Sequence, residues 1–154
     1  MSRLAVILAM ITALLGGCAS YPDTTRARLE TLPQHYSQFD LRLAWEVKSV
    51  GDKTIVDGVA ENMRYAYMYD LEIWVAVLND AGKVTARSVS FVIPRQLNLE
   101  ETAEFSLKLP VAAPPGTRLR FTYQYRGSDG GDRHKPGEGG TSWMQSFETV
   151  VPAR

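Results

Sequence analysis

The chain has 154 residues, 45% of them apolar and 22% charged, a composition that fits one globular domain and excludes a disordered chain. Its 17 basic and 17 acidic side chains give a formal net charge of zero, which argues against a nucleic-acid binder, whose surface carries a basic excess. The single cysteine, Cys18, cannot close an intramolecular disulfide, so the domain must stand on its hydrophobic core.

Residues 1–17 have the layout of a signal peptide: Arg3 precedes an apolar run from Leu4 to Leu15. That run of about a dozen residues falls short of the ~20 that a helix needs to cross a bilayer. Leu15-Gly16-Gly17-Cys18 follows in register, an aliphatic residue and two small ones before a cysteine. The tetrad resembles the lipobox of bacterial lipoproteins. The resemblance implies cleavage between Gly17 and Cys18, diacylglycerol on the Cys18 thiol, and acylation of the new amino group. One acyl chain binds a membrane marginally, whereas two or more hold. Ala19 and Ser20 follow, where lipoproteins kept at the inner membrane usually carry Asp; the implied address is the outer membrane, facing the periplasm. An ordinary secretory peptide cut nearby is the plainer alternative.

Residues 18–38 are expected to form the lipidated Cys18 and a tether, punctuated by Pro22 and Pro33. Thr24 or Thr25 can cap a short helix with Leu29 and Leu32 on one side, stopped before Pro33. As a flexible coil, about 20 residues would average roughly 25 Å end to end.

From Phe39 the apolar period changes to two, the mark of half-buried strands. Leu41, Leu43, Trp45 and Val47 share one phase, and a turn at Gly51-Asp52 leads to a second strand near 54–62. The third, near 69–78, faces Leu71, Ile73, Val75 and Val77 inward and Glu72 and Trp74 outward. A hairpin loop, Asn79 to Lys83, precedes the fourth, near 84–93, where Val89, Phe91 and Ile93 share a face with Arg87. Pro94 ends it. The fifth runs near 103–109, the sixth alternates Leu119, Phe121, Tyr123 and Tyr125 with polar residues rich in arginine, and the seventh spans 142–151. The expected fold is all-β, an immunoglobulin-like antiparallel sandwich of seven strands over residues 39–152, with a small closed barrel as its rival.

A second resemblance supports that fold. Gly58 and Asn62 at a strand end, the strand Leu71 to Leu78, Asp80-Ala81-Gly82, and Thr102 with Phe105 resemble the FxLYD-type immunoglobulin-like domains of bacterial envelope proteins. It covers about a third of the chain and implies a fold rather than an activity.

Chemistry is sparse. His35 and His134 lack partners at ligand spacing, so no metal site is expected. No nucleophile turn, phosphate loop or dinucleotide fingerprint occurs, and no cofactor is expected. The loop 127–140 holds six glycines among Asp129, Asp132, Arg133, Lys135 and Glu138. A mobile polar loop is its simplest reading; a partner-binding loop and a calcium loop are the others. Arg118, Arg120 and Arg126 form a basic strand face, suited to solvent or to an anionic surface. The segment 63–69, rich in Tyr and Met, suits recognition, or else continues the inward phase of Leu71 through Tyr65, Tyr67 and Tyr69.

The sequence therefore predicts a non-enzymatic envelope lipoprotein whose sandwich binds another envelope protein as an accessory or assembly factor. Tyr65, Tyr67, Met68 and Trp74 are the expected contacts, with Arg133 in the loop. Strand addition at an open edge is a plausible mode. The alternative is a glycan or peptidoglycan binder, which needs Trp74 and two tyrosines coplanar and exposed.

Overall fold

The computed structural model describes residues 23–130 and 140–153. Gly17, Cys18 and Arg133 lie outside the described residues. A short helix, α1 (Thr24–Thr31), leads into nine strands: β1 (Gln34–Ser37), β2 (Leu41–Val50), β3 (Lys53–Asn62), β4 (Tyr67–Leu78), β5 (Val84–Phe91), β6 (Gln96–Asn98), β7 (Thr102–Leu109), β8 (Arg118–Ser128) and β9 (Thr141–Val150). Two antiparallel sheets form, β1-β2-β3-β7 and β5-β4-β8-β9, and β6 pairs with the start of β4. The fold is the all-β sandwich that the alternation predicts. Its seven long strands are the expected ones; β1 and β6 are additional and too short to show a period.

The expected tether is folded from Asp23 onward. Asp23, not Thr24 or Thr25, caps α1: its Oδ1 accepts from the Arg26 N–H at 3.0 Å. Leu29 and Leu32 are buried against Ala44 and Val59 on the outer face of the first sheet. Beside them Glu61, itself buried, pairs with Arg26 at 3.1 Å and Arg42 at 2.9 Å, and Arg42 reaches Glu30 at 2.6 Å. Two leucines so close together are too few to announce a packed helix. The ion-pair chain and the β1 ladder to β2 complete the docking.

The core lies between the sheets. Trp45 packs on Phe121 at 4.7 Å, and Phe121 stacks on Phe147 at 5.1 Å. Gly58 sits beneath the Phe105 ring; a Cβ there would lie 2.4 Å from the ring and 2.5 Å from the Ala44 carbonyl. Two buried polar groups tie the ends. Asn62 donates to the carbonyls of Tyr65 at 2.7 Å and Leu97 at 3.1 Å, and accepts from the Arg64 and Tyr65 N–H groups. The Asp40 carboxylate accepts from the Tyr123 hydroxyl at 3.2 Å and from that of Tyr125, joining the β1–β2 corner to β8.

Both networks give expected outcomes. Asn62→Ala strips a partner from each of those four backbone groups and should cost about 3 kcal/mol in urea unfolding. Burial, reinforced by Asp40, pushes the Tyr123 and Tyr125 phenols well above the ordinary tyrosine range. A raised folded-state value stabilises below the unfolded value, about 10, and is lost as pH rises beyond it. Ultraviolet titration of the folded protein should therefore leave Tyr123 and Tyr125 un-ionised until the chain unfolds.

Candidate functional site

The two sheets differ on their outer faces. Helix α1 packs on β2, β3 and β7 and covers part of the first sheet. Among the described residues no helix packs on the second. Its bare face reads across the strands in register: Phe91, Glu72, Gln124 and Met144 in one row, Val89, Trp74, Thr122 and Ser146 in the next.

A bulge shapes one end of this face. Asp70 has a positive φ of 51°, which Asp tolerates better than most residues. Tyr69 pairs with Arg126 and Glu72 with Gln124, so Asp70 and Leu71 together oppose Tyr125. On the other edge, the Val92 N–H donates to the Leu71 carbonyl at 2.9 Å and the Asp70 N–H donates to that of Arg95 at 2.7 Å. Residues 92–95 thus leave the sheet between β5 and β6.

A groove of about 890 Å³ opens there, lined by Asp70, Leu71, Glu72, Phe91–Arg95 without Pro94, Gln124–Arg126 and Ser142–Met144. Its apolar walls are Phe91, Ile93 and Met144, which are 65%, 78% and 68% exposed. Its polar end is Asp70 between Arg126 and Arg95, the latter bonding at 2.7 Å. The Arg126 guanidinium, helped by Arg95, holds the Asp70 carboxyl below the usual carboxylate range. Glu72 accepts from the Trp74 indole at 3.1 Å and from Gln124 at 2.7 Å. Both carboxylates in the groove are occupied by donors. Among the described residues no cluster of His, Cys, Asp and Glu could hold a metal ion.

The expected contact residues divide. Met68 and Tyr65 are buried, and this corrects their assignment as exposed contacts. The bulge inserts one extra residue between Met68 and Leu71, so both point inward and Tyr67 and Tyr69 on either side of Met68 do not. Tyr65 instead lies over Gly127, where a Cβ would approach its ring to 2.8 Å. Tyr67 is exposed beside Tyr69, their rings 6.1 Å apart and inclined by 30°. Trp74 faces outward as expected, half-buried beneath Arg87. Tyr67 and Trp74 do not meet in the groove, and the coplanar platform a sugar would need is not assembled.

Sequence reading misses Asp70, Arg95 and Met144. Phe91 and Ile93 carry a signal, their shared face with Arg87, which marks the solvent side. Trp45 is core, in phase with Leu41 and Leu43, whereas Trp143 is more than a third exposed on edge strand β9. The basic face is neutralised within the molecule: Arg118 and Arg120 pair with Glu148 at 2.7 and 2.8 Å, and Arg126 with Asp70.

The sequence matches no protein-family profile and no curated protein. Among solved structures, the chain is similar to the GAE domain of GGA2p from Saccharomyces cerevisiae, with TM-score 0.51 and 10% identity over 79% of this chain and 100% of that one. The yeast GGA1 GAE domain gives TM-score 0.48 at 11% identity over 76% and 96% of the two chains. A DUF4426 family protein from Pseudomonas aeruginosa gives 0.39 at 13% identity over 77% and 96%. At such identities the first likeness establishes the β-sandwich class of domain and nothing finer.

Asp70→Asn keeps the tolerated backbone but weakens the hold on two guanidinium groups. It should cost about 1–2 kcal/mol at pH 7. A depressed carboxyl contributes above its unfolded value near 4 and loses that contribution as pH falls through the folded value. The gap between variant and parent should therefore close on acidification, measured as urea midpoints from about pH 7 to about pH 2.

Proposed function

We propose that this chain is a non-enzymatic binding protein held at the outer membrane by lipid on Cys18, and that the groove on the bare face of its second sheet takes apolar side chains of another envelope protein. The observation that carries the reading is the groove itself. Phe91, Ile93 and Met144 stand exposed around a floor of paired charges. Isolated exposed apolar residues are ordinary, but three large ones around one concavity mark an interaction site.

The chemistry of the groove favours binding over catalysis. A general acid needs a raised carboxyl, and Asp70 is lowered. Glu72 is fixed by an indole and an amide. The glycan alternative loses its support with Tyr65 buried and Trp74 half-covered.

The anchor half of the proposal rests on the lipobox tetrad. Among the described residues no helix is long and apolar enough to cross a membrane. Five residue steps separate Cys18 from Asp23, at most about 18 Å of extended chain. The folded domain would ride close above the headgroups rather than on a long stalk.

Two measurements separate the halves. Labelling of growing cells with an alkyne fatty acid should mark the parent and not Cys18→Ser; equal labelling removes the anchor. A photo-crosslinking residue at Phe91 or Met144 should give one adduct with a defined envelope protein, while the same group at Lys108 on the first sheet gives none. Equal patterns from all three positions would remove the groove as the binding surface.

A further inference from the structure

The two ends of the sandwich differ. At one end the connections are built from Gly51-Asp52, Asn79 to Lys83 and Pro114 to Thr117, ordinary polar turn residues. At the other, large apolar side chains stand at the tips. Phe39, between β1 and β2, is 53% exposed; Met63, between β3 and β4, 40%; and Leu99, between β6 and β7, 50%. Tyr67 and Trp143, near the starts of β4 and β9, are more than a third exposed.

Backbone bonds and ring contacts draw these tips into one patch. The Met63 N–H donates to the Asp40 carbonyl at 2.9 Å, and the Glu100 N–H to that of Asn62 at 2.8 Å. Tyr67 pairs with Asn98, next to Leu99. The Phe39 ring meets Trp143 edge-on at 5.7 Å, and the Arg64 guanidinium lies over Phe39 at 5.1 Å.

The N-terminal segment leaves the fold at this same end. Asp23 caps α1 and holds the Arg26 N–H. The Arg26 guanidinium pairs with Glu61 at 3.1 Å and donates to the Glu100 carbonyl, between Leu99 and Glu101. Arg28, further along α1, reaches Glu104, so the helix starts at the patch and runs away from it. Five residue steps, at most about 18 Å of extended chain, separate Asp23 from Cys18.

We propose that this end of the sandwich docks on the bilayer that holds the Cys18 lipid, with Phe39, Met63 and Leu99 entering the interface. The inference rests on the lipid anchor proposed above. Apolar side chains flanked by Tyr and Trp suit the headgroup boundary, where amphipathic rings gather. Arg64 keeps its stem against Phe39 and its charge free to meet phosphates. Among the carboxylates here, Asp23 accepts from the Arg26 N–H and Glu101 from the Asn98 N–H. Glu100 and Asp129 are exposed and oppose a strongly anionic leaflet, so the surface that fits is a zwitterionic one.

The sandwich then stands on end. Its far turns rise roughly 30 Å above the lipid, the length of a ten-residue strand such as β3. The groove, whose Asp70 lies three residues on from Tyr67, opens beside the headgroups and stays uncovered.

The test uses the full chain purified from membranes and reconstituted in vesicles of phosphatidylethanolamine and phosphatidylcholine that carry a headgroup quencher. A thiol-reactive dye is attached at Met63→Cys or Leu99→Cys, with Asp52→Cys at the far end and Ser146→Cys on the open sheet face as references. A lipid-bound Cys18 takes no dye, so the parent reports on the anchor separately. Dye at 63 and 99 should be quenched several-fold more than dye at 52 or 146. Adding Phe39→Glu should lower the quenching at both tips several-fold, which a short tether alone would not do. Equal quenching at all four positions, stronger quenching at 146 than at the tips, or tip quenching that Phe39→Glu leaves unchanged would each overturn the docking. A parent that takes dye at Cys18 would remove the anchor first, and the docking with it.

Discussion

The second sheet is organised by one carboxylate. Asp70 takes a backbone conformation that costs a non-glycine residue roughly 1 kcal/mol, and the two guanidinium groups bound to its side chain offset that cost. The bulge it creates turns Met68 and Leu71 to the same side, splits one edge of β4 between β5 and β6, and pushes residues 92–95 out of the sheet. The groove is the space left by that detour. Its apolar walls come from β5, the detour itself and β9, and its charged end is the ion triad that holds the bulge.

Coverage separates the two sheets. The first is shielded by α1, which Glu61 anchors through Arg26 and through Arg42, itself bound to Glu30. A buried carboxylate between two arginines is a matter of position more than of stability, since desolvation cancels much of its attraction. It fixes where the helix lies, and so leaves the exposed apolar side chains of the second sheet as the available surface. The Asp40 carboxylate plays a similar part within the core, where it registers the β1–β2 corner against Tyr123 and Tyr125.

The seven long strands are legible in the sequence because stretches such as Leu41 to Val47 and Leu119 to Tyr125 alternate without interruption. The turn chemistry at Asn79 to Lys83 is legible for the same local reason. The bulge is not. A single inserted residue reverses every assignment on one side of it, so alternation carried back from Leu71 puts Met68 outward and the tyrosines beside it inward. β6 and β1 escape because three or four residues carry no period. The helix escapes as a packed element because its docking depends on Glu61, about thirty residues away in sequence and adjacent only in the fold. Groove residues come from four strands and a loop; Phe91 and Met144 lie 53 positions apart and meet only through the sheet register.

Under the proposed function the second sheet, and not the first, meets the partner. Hydrogen–deuterium exchange of the full chain, compared in its own native envelope and in detergent, addresses this without altering a residue. Added protection should fall on residues 70–72, 91–95 and 142–144, with α1 and β7 exchanging alike in both settings. Protection confined to α1 and β7, with the groove segments unchanged, would contradict it.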